Sequence, residues 1–156
     1  MVDTIESPHL QTMIEKLGGR SSWKFLIMTM IELIRQDEIL KLVFKGKERE
    51  DLVDMMTNLI KMTFSYHSKD NMPEDNVRSR IIMRNYSLFE LGLNSFQLKK
   101  LQAHFESALH NTWVEGDLFD QCVERFAELR RVFEEEALDV PYGCTRAAYS
   151  LIARSA

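Results

Sequence analysis

The sequence predicts an all-α domain, and three observations carry that prediction. Apolar residues recur at helical spacing, most clearly at Trp23, Leu26, Ile27, Met30, Ile31 and Ile34. No useful length of chain alternates apolar and polar residues with period two, and Ile, Val and Thr do not cluster. The three prolines and six glycines gather at points of punctuation rather than inside the periodic segments.

The elements follow in order. A short helix over about 8–17 ends at Gly18-Gly19, which separate it from a long second helix. Ser21 or Ser22 is expected to cap that second helix through its hydroxyl. Phe25, Met28 and Leu33 add a second apolar stripe, so this helix is expected to be buried on more than one side, as the spine of the fold. An apolar helical stretch then closes at Val43-Phe44. After a turn at Gly46, a third helix runs from about Arg49 to Tyr66, with Leu52, Met55, Met56, Leu59, Ile60 and Thr63 on one face. The polar segment from His67 to Asn76 contains Pro73 and reads as a loop, while Val77 to Phe89 reads as a short helix of weak periodicity.

Asn94 or Ser95 caps a fourth helix with Leu98, Leu101, Phe105 and Leu109 inside. Asp117 starts a fifth, with Phe119, Cys122, Val123, Phe126, Leu129 and Phe133 inside. Glu134-Glu135-Glu136 set carboxylates against the negative end of the helix dipole, so this helix is expected to run on to about Leu138. Residues 1–138 are then the domain and 139–156 a C-terminal extension. In the extension Pro141-Tyr142-Gly143 reads as a turn and Thr145 to Ala153 as a small apolar helix. Tyr142, Arg146, Tyr149, Leu151 and Ile152 supply the aromatic, arginine and aliphatic chemistry that anchors interfaces, which makes this a candidate docking segment. Folding back onto its own core is the competing reading.

Bulk properties narrow the function classes. A chain of 156 residues, 45% hydrophobic and 28% charged, has the size and composition of one globular domain. Its net charge of -4 offers no basic face for duplex nucleic acid. The longest apolar stretch, Phe25 to Ile34, is broken by Thr29 and Glu32 and is too short to span a bilayer. The first residues resemble neither a secretory signal nor an arginine-rich transit peptide. Two cysteines, Cys122 and Cys144, suit a reducing compartment. A soluble protein of the cytoplasm or a similar compartment is expected, with an organelle reached after processing left open. Cys-x-x-Cys, His-Glu-x-x-His and calcium-loop spacings are missing, so neither a metal site nor an enzyme is expected.

Three landmarks carry a resemblance: Met13-Ile14-Glu15-Lys16-Leu17-Gly18-Gly19, Val43-Phe44 and Leu91-Gly92-Leu93. In this order and at these separations they resemble the truncated haemoglobins over roughly Met13 to Phe133. The resemblance implies a globin-like two-over-two helical sandwich followed by the extension. It also implies a haem pocket, and there the chain departs from the family. The phenylalanine that stacks on haem matches Phe44. The distal tyrosine falls on Ile31, and two further distal positions fall on Leu52 and Met56. The iron-binding histidine falls on Leu88, or on Ser87 if the preceding loop shifts by one. Ser65-Tyr66 replace the family's second glycine pair, and His104 falls where many members carry a histidine unconnected with iron.

Haem iron needs a strong axial donor, and leucine supplies none, so no cofactor is expected. His9, His67, His104 and His110 all have plainer readings, and Met55, Met56, Met83 and Tyr86 are weaker candidates as ligands. A pocket lined by Ile31, Phe44, Leu52, Met56 and Leu88 either collapses into core or holds an apolar ligand. Collapse is the default, because an empty cavity costs ~24 cal/mol per Å³. The expectation is a haem-free globin-like protein acting in protein interaction, assembly or sensing, through a protein partner or a second copy. The alternatives are a haem protein with unusual ligation, in gas binding or haem handling, and a carrier of an apolar or tetrapyrrole ligand.

Overall fold

The computed structural model describes residues 8–65 and 74–138. His67 and the whole extension, with Tyr142, Arg146, Tyr149, Leu151 and Ile152, lie outside the described residues. Among the described residues there are eight helices and no strand: α1 (Pro8–Leu17), α2 (Arg20–Gln36), α3 (Leu40–Val43), α4 (Arg49–Ser65), α5 (Glu74–Arg84), α6 (Tyr86–Glu90), α7 (Ser95–Asn111) and α8 (Gly116–Leu138). α2 packs on both α4 and α7, and α8 packs on the same two helices. One pair, α2 and α4, thus lies over the other, α7 and α8.

Each long helix buries the face its apolar spacing marked out. Trp23, Leu26, Ile27, Met30, Ile31 and Ile34 are all buried on α2, and Leu98, Leu101, Phe105 and Leu109 on α7. The four main helices meet in an aromatic column with one ring from each. Trp23 and Phe64 lie 5.4 Å apart between centroids, Phe64 and Phe105 6.4 Å, and Phe105 and Phe126 4.7 Å in a stacked pair. Such pairs add roughly 0.5–1.5 kcal/mol each beyond the area they bury.

Several local expectations are confirmed with a mechanism. Asn94 accepts from the Gln97 amide at 2.8 Å while the Gln97 side chain accepts from the Asn94 amide at 2.9 Å, a complete capping box for α7. α8 reaches Leu138 despite its acidic end because each carboxylate of the run is paired. Arg130 holds Glu134 at 2.7 Å, and Arg78 of α5 holds Glu135 at 2.8 Å and Glu136 at 3.1 Å.

Others are corrected. α2 begins at Arg20 on Gly19, with no side-chain cap, so Ser21 and Ser22 lie inside its first turn. Phe25 is exposed, and Met28 and Leu33 are only half-buried, so α2 has one fully buried face and a flank. The helix expected over Val77 to Phe89 starts earlier, at Glu74, and is divided at Asn85. There the buried Asn85 turns its side-chain amide back to the Ile81 carbonyl at 2.9 Å, the local competition with helix bonds that favours a break.

Candidate functional site

The path from α2 to α4 decides the shape of the central site. α2 stops at Asp37, whose extended backbone (φ -77°, ψ 122°) ends the helix. The Asp37 carboxylate then accepts from the amides of Ile39 at 2.8 Å and Leu40 at 3.0 Å, which starts the single turn of α3. That turn delivers Phe44 to the core, and Gly46 (φ +87°) bends the chain away to α4.

The same carboxylate is a junction between distant parts of the chain. His104 Nε2 lies 2.6 Å from its second oxygen and Lys100 Nζ 2.9 Å, both from α7. The Asp37 side chain is 3% exposed. Burial alone would push its carboxyl up. The Leu40 amide, Lys100, His104 and the Ile39 amide outweigh burial and hold it well below the usual carboxylate range. Sequence reasoning noticed His104 but missed Asp37 and Lys100. The one available signal was the placement of Lys100 and His104 four residues apart on one helical face.

The pocket residues expected from the sequence sit on α2, α3's end, α4 and α6, within one contiguous buried cluster. Ile31 and Met56 are 0% exposed, Leu88 2%, and Phe44 and Leu52 4%. The space beside Leu88 is a void of about 10 Å³, walled by Leu59, Leu98, Leu101, Phe126, Leu129, Arg130 and Phe133. A void of that size holds one water at most, against roughly 300 Å³ or more for a ligand pocket.

Among the described residues, the side chains at the positions the resemblance assigns to the haem pocket offer iron no strong donor. Leu88 has no donor atom, His104 is bound to Asp37, and His110 is stacked on Phe119 at 4.4 Å on the far end of α7. Met83 is exposed, and the buried thioethers Met55 and Met56 are weak ligands. Other reactive chemistry is equally muted. Burial pushes the Cys122 thiol up to about 12, against the opposing pull of Arg125 and Lys16, so it is not a nucleophile. Among the described residues no group of three or more His, Cys, Asp or Glu is placed to hold a metal ion, and no helix is long and apolar enough to cross a membrane.

Eight helices, four of them packed as α2 and α4 over α7 and α8, with a Gly-Gly stop before α2 and a short turn carrying Phe44, define an all-α globin-like fold. Comparison with solved structures agrees: THB4 of Chlamydomonas reinhardtii, a truncated globin, matches 80% of this chain and 95% of its own at a TM-score of 0.60. At 21% identity the likeness speaks for the fold alone. The chain is matched by no family model and by no curated protein.

Proposed function

We propose that this is a globin-like protein that works without haem, its pocket position filled by its own side chains, and that it acts by contact with protein, in assembly or sensing. The observation that carries the reading is Leu88. It occupies the position the resemblance assigns to the iron ligand, is 2% exposed, and borders a void of only about 10 Å³. The buried Ile31, Leu52 and Met56 support it, since none can hydrogen-bond a bound gas. The proposed role is not enzymatic: His104 is committed to a helix-capping carboxylate and Cys122 is buried and protonated.

The test is expression with excess haem precursor, followed by absorbance and iron analysis of the purified chain. The expected result is less than a tenth of an equivalent of haem per chain (roughly the background of non-specific apolar binding). One equivalent with a sharp six-coordinate spectrum, lost on substituting a single Met or Tyr, would establish unusual ligation instead.

A further inference from the structure

α1 and α7 end on the same hydrogen-bond pattern, but with opposite residue choices. At the end of α1, Gly19 donates to the Ile14 carbonyl at 3.0 Å and Gly18 to Glu15 at 3.1 Å. At the end of α7, Val114 donates to Leu109 at 3.0 Å and Trp113 to His110 at 3.0 Å. This pattern places the residue after the cap in the left-handed region, where glycine is at ease. Gly18 has φ +114°, whereas α7 sets Trp113 there at φ +66°. The strained tryptophan is 86% exposed, so the fold gains no packing from it. A local rule broken without benefit to the fold points to a role outside it.

The chain around Trp113 has one sign of charge. Residues 101–124 contain no lysine or arginine but carry Glu106, Glu115, Asp117, Asp120 and Glu124. Glu115, Asp117 and Asp120 are exposed, and no ion pair holds them among the described residues. Exposed lysines lie on the turn after α3, ahead of the acidic first turn of α4. Leu42 is 67% exposed on α3, and the exposed Lys45 and Lys47 flank the turn at Gly46. Their neighbours Lys41 and Arg49 are occupied by Glu38 at 2.9 Å and Glu32 at 3.4 Å, which leaves Lys45 and Lys47 available.

We propose that the Trp113 corner binds the Leu42–Lys47 corner of a second copy, joining molecules head to tail. The Asp37 junction ties the start of the α3 turn to Lys100 and His104 of α7, while Trp113 lies just past the last residue of that helix. Trp113 stays 86% exposed and Leu42 67% exposed, so the two patches do not cover one another within one molecule. Between copies, a lysine ammonium lies over the indole, Leu42 covers its edge, and the carboxylates of Glu115 and Asp120 take the second ammonium. The contact uses different surfaces on the two partners, so it builds rings or open chains rather than a closed two-fold dimer.

This inference rests on the interaction role proposed above and names its partner. It is tested by sedimentation velocity of the full chain over a wide concentration range, at low and high salt. The expected result is growth beyond a dimer with concentration, weakened by salt. Trp113→Gly should lower the association constant at least about tenfold while melting no lower than the parent, because the substitution relieves the left-handed strain. Lys45→Glu/Lys47→Glu and Glu115→Lys/Asp120→Lys should each stay monomeric alone and assemble when mixed. A monomer throughout, a dimer indifferent to Trp113, or a monomer that binds a lysine-rich peptide through Trp113 would each overturn it. Haem content is read separately by absorbance. A haem-free monomer sinks this surface and spares the pocket reading, and a haem-loaded assembly does the reverse.

Discussion

Replacing Asp37 by alanine should damage this fold more than any other single change at a charged position. The carboxylate accepts from two backbone amides and meets the side chains of Lys100 and His104, all within 3.0 Å, while 3% exposed. Losing the cap on α3 costs about 0.5–2 kcal/mol. Lys100 and His104 lose their partner as well. The side chains of these two are 31% and 19% exposed, so both can turn partly to water. The penalty then falls short of the roughly 3–5 kcal/mol of a fully buried broken pair. A total near 2–4 kcal/mol is expected, which for a chain of this size lowers Tm by about 4–16 °C at roughly 2–4 °C per kcal/mol. Asp37→Asn keeps an acceptor for the two amides and loses the charge, so it should lie between parent and Asp37→Ala. Urea titration at several pH values adds a second reading. A carboxyl held below its ordinary value stabilises the fold above the unfolded pKa near 3.9, and that stability drains away as pH falls toward the native value. The gap between parent and Asp37→Asn should therefore be full at pH 6 and shrink below about pH 4. A gap that is constant with pH, or absent altogether, would refute the claim that this charge ties α7 to the α2–α3 corner.

Further outcomes follow from the same geometry. Leu88→His buries an imidazole without a partner and should destabilise the fold by about 1–3 kcal/mol in a thermal melt, with or without added haem; no loss would show that the position faces open space. Asn94→Ala removes half of the capping box and should cost about 1 kcal/mol by urea titration, with Gln97→Ala costing less. Cys122, 0% exposed with its thiol raised to about 12, should resist thiol reagents in native protein and react on unfolding.

The long helices were legible because a face repeating every three or four residues has only one way to be buried, and Leu26, Met30 and Ile34 are all 0% exposed where that face predicts. The breaks were less legible. Asp37 looks like one more solvated charge between Gln36 and Glu38, and its role depends on His104, which lies 67 residues further along the chain. Asn85 divides α5 from α6 through a bond to Ile81, an option open to any asparagine and taken only where packing permits. Ser21 and Ser22 misled because Gly18 and Gly19 already turn the backbone, so α2 starts before either hydroxyl can cap it. In the central site, the apolar identity of Ile31, Phe44, Leu52, Met56 and Leu88 foretold an apolar surround. How little room is left beside Leu88 is a property of packing among four helices, which no linear pattern encodes.

That packing also bears on where function can reside. At ~24 cal/mol per Å³, the void of about 10 Å³ beside Leu88 costs the fold only about 0.2 kcal/mol. Opening the same region to the roughly 300 Å³ of a small ligand site would cost about 7 kcal/mol at that rate. This is a large share of the roughly 5–15 kcal/mol that holds a domain together. A carrier role for the pocket therefore requires a ligand that returns this energy through its own contacts. The aromatic column of Trp23, Phe64, Phe105 and Phe126 already supplies ring contacts across all four main helices, so a flat apolar guest would displace existing cohesion rather than add to it. The surface stands in the opposite position. Trp113 holds a left-handed backbone and an exposed indole that the fold does not use, and substituting glycine there would relieve strain. The proposed contact role rests on both features, the small void beside Leu88 and the strained, exposed corner at Trp113.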